Sequence, residues 1–150
     1  MSEKVKYILN LGAIIGLANG ILPSLTIVIL PIGLFYAIKK YRTDYLDNVI
    51  SYGEVFKIGM RLSALAGIVI GFANLMWFYF APQKVSEIMN QVFVMMENMG
   101  YPANVIEDMQ QNQVQLFSVS GLLNAIVMGF FISLILGFIL KKETDSTQQD

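Results

Sequence analysis

One long apolar stretch, at residues 51–82, decides the fold: it reads SYGEVFKIGMRLSALAGIVIGFANLMWFYFAP. Its start, Ser51-x-x-Glu54, matches a capping box, in which the serine and glutamate side chains each accept a backbone N–H of the first helical turn. Residues 62–81 are 20 uncharged residues, and as a helix they span about 30 Å, the thickness of a bilayer core. An aromatic run beginning at Trp77 is typical of a membrane interface, and Pro82 interrupts the helix. The stretch therefore predicts a membrane-spanning helix at about 51–81.

The segment before it predicts a helical hairpin. Residues 7–38 are 32 residues without a charge, and as one helix they would be about 48 Å long, far more than one crossing needs. Gly20 and Pro23 favour a break, since glycine is usual just past a helix end and proline is tolerated in the first turn of the next helix. We therefore predict helices at about 4–19 and 23–41. Two lysines before this apolar stretch also imitate a signal peptide, but the second apolar block favours an uncleaved helix.

The segment after it predicts a polar excursion and one more crossing. At residues 83–115, apolar side chains recur at helical spacing from Val85 to Met99, which is typical of an amphipathic helix. Asn104-x-x-Glu107 resembles a helix N-cap and predicts a short second helix. An apolar block predicts the last membrane helix at about 116–140. The polar tail at 143–150 is predicted to be disordered.

Together these segments predict an all-α membrane protein. It is a single domain over residues 1–150 with four transmembrane helices and an extracytoplasmic amphipathic segment between the third and the fourth. Of the ten Lys and Arg residues, only Lys84 lies in that segment, and the other nine lie on one side: Lys4, Lys6, Lys39, Lys40, Arg42, Lys57, Arg61, Lys141 and Lys142. The positive-inside rule then places both termini in the cytoplasm.

The composition argues against several function classes. Hydrophobic residues make up 55% and charged residues 14% of the chain, against about 25% charged in soluble domains. The net charge of −1 provides no basic surface for nucleic acid. The chain has no His and no Cys, so it lacks the commonest general base and metal ligand and has no reactive thiol. We therefore expect no catalytic residue, no metal, no cofactor and no enzymatic activity.

Small residues recur at every fourth position in three of the predicted membrane helices. Such residues let helix backbones approach closely, which is how membrane helices associate. This spacing predicts helix packing, either within one bundle or between subunits. A third interpretation is a transporter whose helices slide along these smooth faces. The residues concerned are Gly12, Gly16, Gly20, Gly59, Ser63, Gly67, Gly71, Gly121, Ala125, Gly129, Ser133 and Gly137.

Asparagines within the apolar blocks are the candidate polar site. Asn74 and Asn124 each lie about 10–12 Å below the outer interface in the four-helix arrangement, and Asn19 lies nearer the surface. We predict that Asn74 and Asn124 form an interhelical polar cluster, which Asn19 could join. Its role is either structural, at about 0.6 kcal/mol per hydrogen bond, or that of a ligand or ion pocket that opens outward.

Two further features concern lipid and partners. Lys57 and Arg61 lie one turn apart at the cytoplasmic end of the third helix, where we expect them to contact lipid phosphates. The segment 83–115 is rich in methionine, which adapts to varied surfaces. It could lie on the outer leaflet, cap the bundle, or contact another subunit or an extracytoplasmic protein.

The chain resembles a bacterial integral-membrane family catalogued as domain-of-unknown-function 4199. The resemblance rests on the run ISYGEVFKIG at 50–59, a Lys/Tyr/Arg end to the second helix, a proline after the third and LGFILKKE at 136–143. The chain departs from the family at Ala81, where members often carry an acidic residue. The resemblance implies four membrane helices in a bacterial inner membrane, and it supplies no activity and no site residues.

These observations predict a small integral membrane protein of unknown biochemical role. The interpretation we favour from the sequence is a non-enzymatic protein that acts through helix–helix or partner association, with the bilayer, a second copy or another protein as partner. The alternative is a small carrier or channel with a polar site that opens to the outside. A water-accessible path past the asparagines would favour the alternative, and a bundle sealed by the small residues would favour association.

Overall fold

A computed structural model describes residues 1–22 and 25–142, and this part of the chain contains six helices and no strand. Two of the helices, the third and the sixth, are long and apolar enough to cross a membrane. The second helix carries three basic residues in its last two turns. The helices are α1 (Glu3–Ile21), α2 (Thr26–Tyr45), α3 (Tyr52–Phe80), α4 (Pro82–Asn98), α5 (Ala103–Gln111) and α6 (Gln113–Leu140).

The predicted start of α3 is confirmed. Ser51 Oγ accepts the backbone N–H of Glu54 at 3.3 Å, and the Glu54 carboxylate accepts the backbone N–H of Ser51 at 3.0 Å, so the capping box is complete. α3 ends at Phe80, and α4 begins at Pro82 after the single residue Ala81. Proline suits this position because the first turn of a helix does not need its N–H.

Three helix boundaries differ from the prediction. α1 continues through Gly20 to Ile21 rather than ending near 19, and Gly20 packs against Ala73 of α3 instead of ending the helix. α2 continues to Tyr45 rather than ending near 41, because this last turn is held by tertiary contacts: the Tyr45 ring packs against Tyr7 at 5.4 Å and Arg42 donates to the Leu140 carbonyl. The chain then turns through Asp47 and Asn48, whose φ angles are +48° and +65°, a conformation that Asn and Asp tolerate. α6 begins at Gln113, three residues before the predicted start. The predicted helix start at Pro23 and the predicted disordered tail lie outside the described residues.

The predicted N-cap at Asn104 is wrong. α5 begins at Ala103, two residues before the start that an N-cap at Asn104 would give, and no side chain caps it. The Pro102 carbonyl accepts the backbone N–H groups of Val105 at 3.0 Å and Ile106 at 3.3 Å. The proline ring holds φ at −60°, and this constraint starts the helix without an asparagine cap.

Hydrogen bonds define two ends of a bundle in which α1, α2, α3 and α6 run alternately up and down. At one end, the Tyr7 hydroxyl donates to the Ala37 carbonyl at 3.0 Å, and Ile50 and Lys142 exchange two backbone hydrogen bonds of 3.0 and 2.9 Å. We call this the basic end, because nine of the ten Lys and Arg residues belong to the helix ends and loops found there. At the opposite end, the Trp77 indole N–H donates to the Gly20 carbonyl at 2.9 Å.

Two clusters of buried side chains stabilise this arrangement. The larger fills the bundle with aliphatic residues, including the fully buried Leu30, Leu34 and Leu62. The smaller lies beneath α4, where four buried apolar residues pack against side chains of α3, α5 and α6. The methionine-rich helix therefore covers part of the bundle at the end opposite the basic end. The four residues are Val85, Met89, Phe93 and Met96.

Candidate functional site

α1 and α3 approach each other along the glycines of α1. A methyl group added at Gly16 would lie 2.8 Å from the Ala66 carbonyl oxygen and 2.6 Å from Val69 Cβ. One added at Gly20 would lie 2.5 Å from Ala73 Cβ, and Gly12 faces Leu65 in the same way. The three glycines of α1 are therefore packed within the chain.

α3 and α6 pack through small residues on both sides. Gly59 faces Ser133, and Gly129 faces Ser63, so that each serine occupies the space that a glycine leaves open. Further along the same contact, the pairs are Gly67 with Ala125, Gly71 with the Ser118 carbonyl, Gly121 with Asn74, and Gly137 with Tyr52. The structure therefore places the predicted packing residues of α3 and α6 inside one subunit.

The three candidate asparagines lie around one cavity of about 320 Å³ between α1, α2, α3 and α6, which we call the asparagine cavity. Asn19 is 1% exposed, and its side-chain N–H donates to the Ile15 carbonyl one turn earlier at 2.7 Å. In the described part of the chain, Asn19 Oδ1 is buried and has no hydrogen-bond partner. An unpaired buried acceptor is unfavourable, so this oxygen is the strongest indication that the cavity holds a donor.

Asn74 and Asn124 do not pair as predicted. The Asn74 side-chain N–H donates to the backbone carbonyl of Phe117 at 3.0 Å, and Asn124 is exposed. Asn74 therefore joins α3 to α6 through the backbone, which presents a carbonyl at every turn and does not need a matching side chain. Both asparagines line the cavity, but the hydrogen bonds of the described residues include none between their two side chains.

The sequence did not identify two other polar residues of this cavity, Thr26 and Ser120. The Ser120 hydroxyl donates to the Phe117 carbonyl at 2.8 Å. Helical spacing could have found Ser120, because it lies four residues before Asn124 and therefore on the same face. Thr26 gave no such signal, since it stands at the first turn of α2.

The cavity is polar and uncharged. None of its described lining residues is ionisable, and the walls between the polar groups come from Ile70, Phe117, Gly121 and Ala125. Since the side-chain donors of Asn19, Asn74 and Ser120 bond to backbone carbonyls, their oxygens remain to accept hydrogen bonds. Chemically, the cavity can therefore hold a neutral molecule that carries hydrogen-bond donors.

Lys57 and Arg61 lie at the basic end, away from this cavity, and both are exposed. Arg61 borders a groove of about 480 Å³ that is otherwise lined by Val5, Ile8, Leu9, Ala64 and Leu65. The only ion pair found in the described residues, between Lys6 and Glu3, involves neither of them. The contact of Lys57 and Arg61 with lipid phosphates stays a prediction.

Comparison with known proteins gives a family and no individual relative. No curated protein and no solved structure matches the chain. A family model described as "Protein of unknown function (DUF4199)" matches residues 4–142, which include all six helices apart from Glu3. The chain therefore belongs to the DUF4199 family of proteins of unknown function.

Proposed function

We propose that this protein is an integral membrane protein and that α1, α2, α3 and α6 all cross the bilayer. The apolar surface of the two shorter helices supports this proposal. Large apolar side chains are exposed on the surfaces of α1 and α2, among them Ile14, Leu17, Ile27, Val28 and Ile32. Such a surface exceeds what a soluble monomer exposes, whereas lipid chains accommodate it without penalty.

The charge distribution supports an orientation within this proposal. Nine basic residues belong to one end of the bundle, and the opposite end carries α4 and α5, where Lys84 is the single basic residue. The basic end therefore faces the cytoplasm, and α4 and α5 lie outside. The resemblance to a bacterial family supports a bacterial inner membrane as the location.

We infer that the function is to bind a small, uncharged ligand in the asparagine cavity without transforming it. The observation that carries this inference is Asn19, a buried side chain whose oxygen lacks a partner and which lines a cavity shared with two more asparagines. Binding is favoured over a channel because the bundle is filled towards the basic end by Leu34, Ile38 and Leu62, each 0% exposed.

The ligand should carry hydroxyl or amide N–H groups. Oxygens of Asn19, Asn74 and Ser120 are available as acceptors, and hydroxyl or amide donors would satisfy them. An ion is disfavoured, because no charged residue among the described lining compensates for its desolvation. Polyols and primary amides are therefore the first compounds to try.

The test is ligand binding by the full chain in phospholipid nanodiscs. The chain has one tryptophan, Trp77, which contacts the residue next to Asn19, so its emission reports on the cavity. A compound at ten times its Kd should also raise the free energy of unfolding by about 1.4 kcal/mol. Asn124→Leu should weaken binding, whereas Asn10→Leu, the same change at an exposed position away from the cavity, should not. Equal responses of the two variants to every compound would refute the binding function.

Association through α4 is a second candidate function. Beside the buried face, α4 and the residue that follows it expose an apolar stripe spaced at about one helical turn. It consists of Ile88, Val92, Met95 and Met99. Such a stripe suits the outer leaflet or a second copy of the chain. A Met95→Cys variant should form a disulfide-linked dimer under oxidising conditions if copies meet there, whereas Gln91→Cys should not. A monomeric Met95→Cys protein would exclude self-association through the stripe.

A further inference from the structure

A second cavity adjoins the asparagine cavity and differs from it in chemistry. It has a volume of about 330 Å³ and lies between α4, α5 and the first turns of α6. Its wall is apolar apart from Ser120. Four of the remaining lining residues are Met89, Phe93, Met109 and Leu116. We call it the methionine groove, since flexible methionines form much of its wall.

The two cavities share Phe117 and Ser120. The Phe117 carbonyl accepts hydrogen bonds from Asn74 and Ser120, so the shared wall is fixed on the polar side. On the apolar side, the ring of Phe117 packs with the side chains beneath α4. A molecule that extends past this wall would therefore meet hydrogen-bond acceptors at one end and only apolar atoms at the other.

From this juxtaposition we propose that the natural ligand is a single-chain amphiphile, with an uncharged hydroxylated head in the asparagine cavity and its hydrocarbon chain in the methionine groove. The proposal rests on the binding function inferred above and names the chemical class of the ligand. Ile88 and Val92 line the groove and are 50% and 43% exposed, so the groove borders the surface that would face the outer leaflet. The chain of a membrane amphiphile could enter from there. Methionine side chains adapt to chains of different shape, which suits such a groove.

Three probes separate the head from the chain: glycerol, monooleoylglycerol and methyl oleate. Binding to the full chain in phosphatidylcholine nanodiscs is followed through Trp77 emission and by native mass spectrometry. We expect one monooleoylglycerol per protein, bound at least tenfold more tightly than either glycerol or methyl oleate. Methyl oleate binding as tightly as monooleoylglycerol would overturn the proposal, because the asparagines would then contribute nothing.

Two pairs of variants locate the binding, and all four positions are exposed, so the fold should tolerate the changes. Val92→Asp places a carboxylate at the groove and should weaken monooleoylglycerol binding at least tenfold while leaving glycerol binding unchanged. Val94→Asp, on a different face of α4, should change neither. Asn124→Leu should weaken the binding of both hydroxylated probes relative to Asn10→Leu.

The outcomes distinguish the two inferences. If Asn124→Leu weakens glycerol binding but monooleoylglycerol binds no more tightly than glycerol, the amphiphile proposal fails and the polar binding function stands. The same holds if Val92→Asp and Val94→Asp bind monooleoylglycerol equally tightly. If Asn124→Leu changes the binding of no probe, both inferences fail. Any weakening of monooleoylglycerol binding by Val92→Asp is then due to lipid bound at the surface of α4.

Discussion

Adding one methyl group at Gly16 should destabilise the bundle, although alanine is the better helix former. The new carbon would lie 2.6 Å from Val69 Cβ, 2.8 Å from the Ala66 carbonyl oxygen and 3.0 Å from Ala66 Cα. Carbon atoms in favourable contact are about 3.5–4.0 Å apart. Since two of these atoms belong to the α3 backbone, no side-chain rotation can relieve the overlap, and α1 and α3 must separate.

The magnitude follows from two opposing effects. Overpacking of this kind costs about 1–3 kcal/mol, and replacing a helical glycine by alanine gains up to about 1 kcal/mol. Gly53→Ala is the matched control, because Gly53 also lies in a helix and a methyl group there would have nothing within 4 Å. The control should be neutral or stabilised, so the two variants should differ by about 1–3 kcal/mol in their free energy of unfolding.

The assay is reversible unfolding of the purified full chain in mixed micelles, as the denaturing detergent is increased and helical content is followed by circular dichroism. Gly16→Ala should unfold at a lower fraction of denaturing detergent than the wild-type protein, and Gly53→Ala at the same fraction or a higher one. If Gly16→Ala is as stable as Gly53→Ala, α1 does not approach α3 as closely as described, and the packing argument is refuted.

Asn74→Leu removes the donor to the Phe117 carbonyl and should lower the free energy of unfolding by about 0.6–1.7 kcal/mol, the range for interhelical hydrogen bonds in membranes. An unchanged midpoint in the same unfolding assay would contradict this hydrogen bond. Arg42→Met should destabilise the basic end, since the guanidinium donates at 3.0 Å to a carbonyl in the last turn of α6; hydrogen exchange in that turn should accelerate, and unchanged exchange would argue against this cap. The chain has no cysteine, so Glu97→Cys should react with an impermeant maleimide from outside intact cells and Asp44→Cys only after lysis; the opposite pattern would reverse the orientation.

The boundaries of α3 could be predicted because its signals are local. The capping box at Ser51, the uncharged run that follows and the proline at 82 act within a turn or two of the chain, and the helix begins and ends within one residue of the prediction. α2 was predicted less well at its end, because Lys39 and Lys40 mark a membrane interface equally well whether the helix stops there or continues into water.

The asparagine cavity was predictable in its residue types but not in its bonds. Depth along each helix follows from residue number, so Asn19, Asn74 and Asn124 could be placed at one end of the bundle. Their partners depend on the rotation of each helix about its axis, which the close packing of the small residues sets. The partner of Asn74 is the Phe117 carbonyl, and a backbone carbonyl leaves no signature in the sequence.

The orientation of α4 shows a similar limit. Its apolar positions form two adjacent stripes, and either could have faced the bundle. The structure buries the stripe that contains Met89 and Phe93 and exposes the one that contains Val92 and Met95. Both stripes have the same spacing and similar composition, so periodicity alone could not choose between them.

The central position of α3 has a consequence for the order in which the protein assembles during synthesis. α1 is available as soon as α3 emerges, but the α3 face formed by Gly59, Ser63 and Gly67 must wait for α6. The 60 residues from Ala81 to Leu140 have to be translated first, which takes about 3–12 s at about 5–20 residues per second. In the membrane arrangement that we propose, the buried serine of α3 lacks its neighbouring helix during that interval, and the insertion machinery or a membrane chaperone would have to shield it until α6 arrives.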